Sequence, residues 1–232
     1  MPRPRLVALS VFLLIAVTHS SSSGQEIPSP YVFIANGQAW EIFAGMSDLN
    51  PGELEIGPRD GTTFGGRYAA AFSGALNLDV DGTFFSSKRK VYEVRPGDNI
   101  LLGESDIDVL LLDARLRINL TGHRTWNGLQ PFVLFGGGIA FTTFTDRAWE
   151  LLSGMPPGEW YEFGVRFAGT FGAGTAYHLT DKISLRLDGV LNLWKIQTPL
   201  GWQTLLNDPL DQNTEGEWVA GTTLRLGAAW RF

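Results

Sequence analysis

The sequence predicts an all-β fold, an eight-stranded antiparallel up-and-down transmembrane β-barrel, and three observations predict it. Seven stretches alternate apolar and polar residues and an eighth is apolar or glycine throughout, over lengths that suit the roughly 9–11 tilted residues needed to cross a bilayer. The connections between them run long, short, long, short, long, short, long, the rhythm of a barrel with short turns on one side and long loops on the other. Beyond the first 24 residues nothing approaches about eighteen consecutive apolar residues, so no helical span is expected, and a closed barrel is the other structure that satisfies its backbone in lipid.

The composition agrees. Of 232 residues 28 are glycine, aromatics make up 12% and charged residues 18%. There is no cysteine, which excludes disulfides, thiolate metal sites and a cysteine nucleophile, and fits a chain exported through an oxidising compartment. The net charge of −6 offers no basic stripe for a nucleic-acid partner.

Residues 1–24 read as a signal peptide, with Arg3 and Arg5 ahead of an apolar run at 6–17 and small polar residues at 18–24, and cleavage is expected before Gln25. Loss of the two arginines makes the mature charge two units more negative. No cysteine stands at the cut, so no lipid anchor is expected there. Residues 25–37 form a lead-in containing Pro28 and Pro30, and the barrel domain spans 38–232.

The first strand, 38–46, sets Trp40, Ile42, Ala44 and Met46 against Glu41. A Pro/Gly-punctuated acidic loop at 47–63 follows. The second strand, 64–72, sets Tyr68, Ala70 and Phe72 against Arg67, and Ser73-Gly74 makes a tight hairpin to the third. The third, 75–85, sets Leu76, Leu78, Val80 and Phe84 against Asn77, Asp79 and Asp81; residues 86–105 then read as a polar loop with an Arg95-Pro96-Gly97-Asp98 turn. The fourth, 107–121, sets Leu110, Leu112, Leu116 and Leu120 against Asp113, Arg115, Arg117 and Asn119, with a short connection at 122–130. The fifth, 131–144, is apolar or glycine throughout, so its facing is undecided. After a loop at 145–160, the sixth strand, 161–178, sets Phe163, Val165, Phe167, Phe171 and Tyr177 against Gly164, Arg166 and Ala168. A turn at 179–182 leads to the seventh, 183–194, with Leu185, Leu187, Leu191 and Leu193 opposite Arg186, Asp188, Val190 and Asn192. A loop at 195–216 precedes the eighth, 217–232. Ten strands result if 31–35 or the second loop contributes pairing.

The alternation leaves open which face is inside. In a soluble barrel the leucines would fill the interior; in a bilayer each arginine facing lipid at mid-depth would cost about 2–4 kcal/mol. The membrane version turns Glu41, Arg67, Asp79, Asp81, Asp113, Arg115, Arg117, Arg166, Arg186, Asp188 and Arg225 inward, with Arg231 beside them. There they are expected to form a packed structural ion-pair network rather than a channel, since buried charges persist when paired.

The final residues, RLGAAWRF, resemble the C-terminal signal of bacterial outer-membrane β-barrels: Arg225, Gly227, Trp230 and the terminal Phe232. The architecture of the whole mature chain likewise resembles small barrels of the outer membrane protein A type, without their peptidoglycan-binding domain. The resemblance implies insertion by the barrel-assembly machinery, which reads the last strand. It also implies outer-membrane lipid and lipopolysaccharide as surroundings, both termini periplasmic and four external loops. No sequence feature sets an oligomeric state.

No catalytic, cofactor-binding or metal site is expected. The mature chain keeps His123 and His178, both predicted near the periplasmic end and away from an external hydrolytic site. Asp79-Val80-Asp81-Gly82 superficially matches the start of a calcium loop but lies on a strand and lacks the other ligands. Asp48, Glu53, Glu55 and Asp60 could bridge divalent cations to lipopolysaccharide phosphates; a solvated loop face is the simpler reading. Gly136-Gly137-Gly138 sits inside a strand, where close packing explains it. The functional expectation is a non-enzymatic envelope or surface-interaction barrel, with a small-solute pore as the alternative and a lipid-modifying enzyme behind it.

Overall fold

A computed structural model describes residues 29–34, 37–95, 98–199 and 216–232. It contains ten strands: β1 (Tyr31–Phe33), β2 (Gln38–Leu49), β3 (Gly61–Ala71), β4 (Leu76–Arg95), β5 (Asp98–Asn119), β6 (Arg124–Trp126), β7 (Leu129–Thr145), β8 (Val165–His178), β9 (Ile183–Ile196) and β10 (Glu217–Arg231). The expected signal peptide, residues 25–28, the centre of the 95–98 turn and most of the last loop lie outside the described residues. Eight strands form a closed antiparallel ring in the order β2-β3-β4-β5-β7-β8-β9-β10, and β10 closes on β2 from Gly221↔Leu49 to Arg231↔Ala39. The other two make a small annex: Tyr31–Phe33 of the lead-in pairs with Arg124–Trp126 inside the expected short connection at 122–130.

Period-two facing is resolved on every wall. On β10, Val219, Gly221, Thr223, Arg225 and Gly227 are buried, whereas Trp218, Thr222, Leu224, Leu226 and Trp230 are exposed. A water-soluble barrel would show the reverse. The fifth predicted strand, undecided by pattern, becomes β7 with Phe132, Leu134 and Ala140 buried and Val133, Phe135 and Ile139 outside. Its glycines have a packing cause. A Cβ at Gly136 would stand 2.1 Å from the Ala114 carbonyl oxygen and one at Gly138 2.0 Å from that of Leu112. Their register partners on β5 are Arg115 and Asp113, whose long side chains occupy the space left inside.

Three expectations are corrected. Residues 86–105, read as a polar loop, continue the β4–β5 ladder through Ser86↔Asp108, Lys88↔Asp106 and Lys90↔Glu104. β4 and β5 are 20 and 22 residues long, about twice a bilayer crossing. Cross-strand pairs of opposite charge support that extension, and polar residues on both faces hid it from a search for hydrophobic alternation. The sixth strand starts at Val165 rather than 161, and Phe163, placed on the lipid face by its parity, is instead buried. Gly164, at φ +64°, lets the chain turn between inward Phe163 and outward Val165, a conformation that glycine adopts without a Cβ penalty.

The interior has two tiers. Toward the end that carries β1 and the carboxyl terminus it is ionic. Toward the other end an apolar cluster fills it, including Leu49, Phe85, Ile107, Val109, Leu111, Trp194 and Val219, joined by Ile56, Tyr161 and Phe163 from the loops. The ion-pair network expected in the lumen therefore occupies one tier of it, and apolar side chains fill the other. A single strand passes through both, as β5 does with Ile107, Val109 and Leu111 and then Asp113 and Arg115.

Candidate functional site

The charged lumen is built by parity. β2, β3, β4, β5, β9 and β10 each turn charged side chains to the axis at about the same height, and the resulting contacts cross the barrel. β4 and β9 are opposite in the ring, yet Arg186 Nη1 lies 2.8 Å from Asp79 Oδ2. Arg67 grips Asp81 with two parallel hydrogen bonds, Nε to Oδ1 at 2.7 Å and Nη2 to Oδ2 at 2.8 Å, and donates through Nη1 to Glu41 at 2.8 and 2.9 Å. Its Nη2 also reaches Asp188 Oδ2 at 3.2 Å. Such fork geometry is what a guanidinium provides and an ammonium does not.

Arg225 bridges Asp188 at 2.9 Å and Asp81 at 3.3 Å. Arg115 donates to Asp113 from Nε and from Nη2, the latter at 3.0 Å. Its Nη1 stands 2.7 Å from Asp81 Oδ2 as a charge contact without hydrogen-bond alignment. Arg117 holds Asp79 through Nε at 3.1 Å and Asn119 through Nη1 at 3.1 Å. Five arginines (67, 115, 117, 186, 225) thus face five carboxylates (41, 79, 81, 113, 188), so the tier is formally neutral. A buried charge left alone would be far costlier than any of these pairs is worth.

Of the residues assigned inward from sequence, Arg166 stands apart. It hydrogen-bonds Gln197 Oε1 at 2.9 Å near the far rim and meets no carboxylate among the described residues. Of the assembly-signal residues, Arg225 and Gly227 face inward, Gly227 against Glu41, while Trp230 and Phe232 are exposed outside.

Sequence reasoning missed the rings within this tier. Arg67 and Arg225 lie over Phe43 at 5.2 and 4.7 Å, and Arg117 and Arg186 over Phe132 at 5.5 and 4.2 Å. Phe43 shares the parity of Glu41, which was the available signal. Also missed was a second ion pair at the far end. Arg89, which continues the inward parity of Asp79 and Asp81 along β4, meets Glu150 at 2.6 Å, and both are buried. Glu150 belongs to a 3-10 turn (Glu150–Leu152) of the 146–164 loop and is also bound by Arg147 at 2.9 Å. Arg89 lies over the Tyr161 ring at 5.3 Å, and burial pushes the Tyr161 phenol above its ordinary pKa.

Among the described residues no group of three or more His, Asp or Glu side chains is placed to hold a metal ion. In the acidic loop Glu55 pairs with Lys90, whose ammonium holds its carboxyl below the usual range, and the Glu53 N–H donates to Glu217. Asp48 and Asp60 are exposed. His123 lies exposed in the turn between β5 and β6, and His178 Nε2 sits 3.3 Å from Gln130 Oε1, both at the end carrying the carboxyl terminus.

No family model matches the chain, and no curated protein matches it in sequence. Solved structures are. Neisserial surface protein A is 12% identical with a TM-score of 0.54, over 84% of this chain and 97% of that one. The outer membrane protein OprG from Pseudomonas aeruginosa is 12% identical with a TM-score of 0.52, over 86% of this chain and 98% of that one. At this identity the likeness concerns the fold, which is that of small bacterial outer-membrane β-barrels.

Proposed function

We propose that the chain is an integral outer-membrane barrel without enzymatic activity, its lumen closed by the ionic tier and the apolar tier, serving envelope structure or surface interaction through its long loops. The observation that carries this reading is the inversion of the barrel. Trp40, Ile42, Met46, Phe167, Leu224, Leu226 and Trp230 are exposed, while Arg186 and Asp79 meet across the axis at 2.8 Å. In water that exposed band would be an aggregation hazard; against acyl chains it is the natural face. The fold shared with an outer membrane protein and a surface protein supports the location.

On this reading both termini are periplasmic, the aromatic ends of the band sit at the interfaces, and the loop rim meets lipopolysaccharide. The barrel-assembly machinery would read the strand ending in Trp230 and Phe232. Gel migration before and after boiling, on isolated outer membranes, tests it: a folded barrel migrates differently in the two lanes. Planar-bilayer conductance tests closure, with no reproducible steps expected and regular steps favouring a small-solute pore.

A further inference from the structure

We propose that the mouth of the lumen at the carboxyl-terminal end holds a small oxyanion, the size of inorganic phosphate, between Arg231, Arg117 and Asn77. A cavity of about 50 Å³ lies there, its wall including those three residues with Asn119, His123 and Gln130. One water needs about 10–15 Å³ by this kind of measure, so the space exceeds a single water and suits one tetrahedral ion.

Two observations point to an anion. Asn77 lines the cavity and is 8% exposed, and its Nδ2 has no hydrogen-bond partner, so a buried donor in the cavity wall is left unsatisfied, a costly arrangement. Arg231 makes no ion pair within 4.0 Å among the described residues, its electrostatic neighbour being Asp181 beyond that distance, although the deeper tier is balanced, five against five. It is a sixth cation at the edge of a neutral network. Arg117 is anchored through Asp79 and Asn119 and adds a second guanidinium to the wall. Asp181 shares an adjoining cleft with Arg231 and is the carboxylate that would compete with the ligand. Gln130 already donates to the Gly122 carbonyl at 3.0 Å, so it is not a ligand. Two guanidiniums and an amide N–H are all donors; a cation is repelled, and an oxyanion offers each an acceptor.

The test uses the mature barrel, isotope-labelled and refolded in a phosphate-free detergent. Phosphate is titrated at constant ionic strength while the Arg231 Nε–Hε and Asn77 Nδ2 amide signals are followed by NMR. The expected result is a saturable shift at both and none at Arg89 at the opposite end. Arg231→Gln and Asn77→Asp should each weaken apparent affinity about tenfold or more, the scale of one charge-assisted hydrogen bond. Asn77→Asp preserves shape and stands opposite Arg117 in the β4–β5 register, so heat-modifiable folding should survive it even if Arg231→Gln refolds poorly. Failure to saturate, equal potency of chloride, or shifts that persist in both variants would overturn the site and leave waters as its contents.

Discussion

Arg67 makes contacts with Glu41, Asp81 and Asp188 while fully buried. Replacing it by leucine strands those carboxylates, so Arg67→Leu is expected to lower stability by about 3–5 kcal/mol in urea unfolding of the refolded barrel. Arg166→Gln, which loses only the contact to Gln197, should change it by about 1 kcal/mol. The same contrast marks what could be read from the residues alone. Arginine and aspartate on one parity declared their facing because lipid is so unfavourable to charge. Phe43 and Phe132 did not, since an aromatic ring is welcome either in lipid or against the flat face of a guanidinium. Arg166 carried the inward parity, but at the far rim water and the Gln197 amide serve it as well as a carboxylate would.

Elements were legible where one face was apolar and illegible where both carried polar residues. The outer halves of β4 and β5 set Ser86, Lys88 and Lys90 opposite Asp108, Asp106 and Glu104 while Ser87, Arg89 and Ser105 are buried inside, so their pairing left no hydrophobic period. Residues 145–160 were read as a loop and Tyr161 and Phe163 as strand, yet Glu150, Tyr161 and Phe163 fold back from the 146–164 segment over the apolar tier. Glu150→Gln weakens the hold of Arg89 and Arg147 on that segment. Protease cleavage within 146–164 on intact cells should rise about tenfold, equivalent to about 1.4 kcal/mol of easier opening. Gly138→Val forces a side chain onto the Leu112 carbonyl. It is expected to abolish heat-modifiable refolding, whereas Gly158→Val, with open space around its Cβ, leaves it intact.

At the scale of the molecule, outward residues on β10 run from Trp218 to Trp230. At about 3.3 Å per residue and a tilt near 40° that is roughly 30 Å of height, the thickness of a hydrocarbon core. Single-tryptophan variants keeping Trp40 or Trp230 should be strongly quenched by brominated lipids. A variant keeping Trp194, 1% exposed inside the ring, should not be. The eight-strand ring was legible from the alternating stretches, although one long connection proved to be paired strand; its apolar upper tier was not read, although Phe85, Leu111 and Trp194 carry the parity of Asp81, Asp113 and Asp188. The distribution of charge around the ring bears on how it shuts. β2 to β5 contribute Glu41, Asp79, Asp81 and Asp113 against Arg67, Arg115 and Arg117, whereas β9 and β10 contribute Arg186 and Arg225 against Asp188. The early wall is therefore one unit acidic and the late wall one unit basic. Their mutual contacts, such as Arg225 with Asp81, join residues 144 positions apart. The two walls attract each other as the seam between first and last strand zips, and neither reaches neutrality until it has.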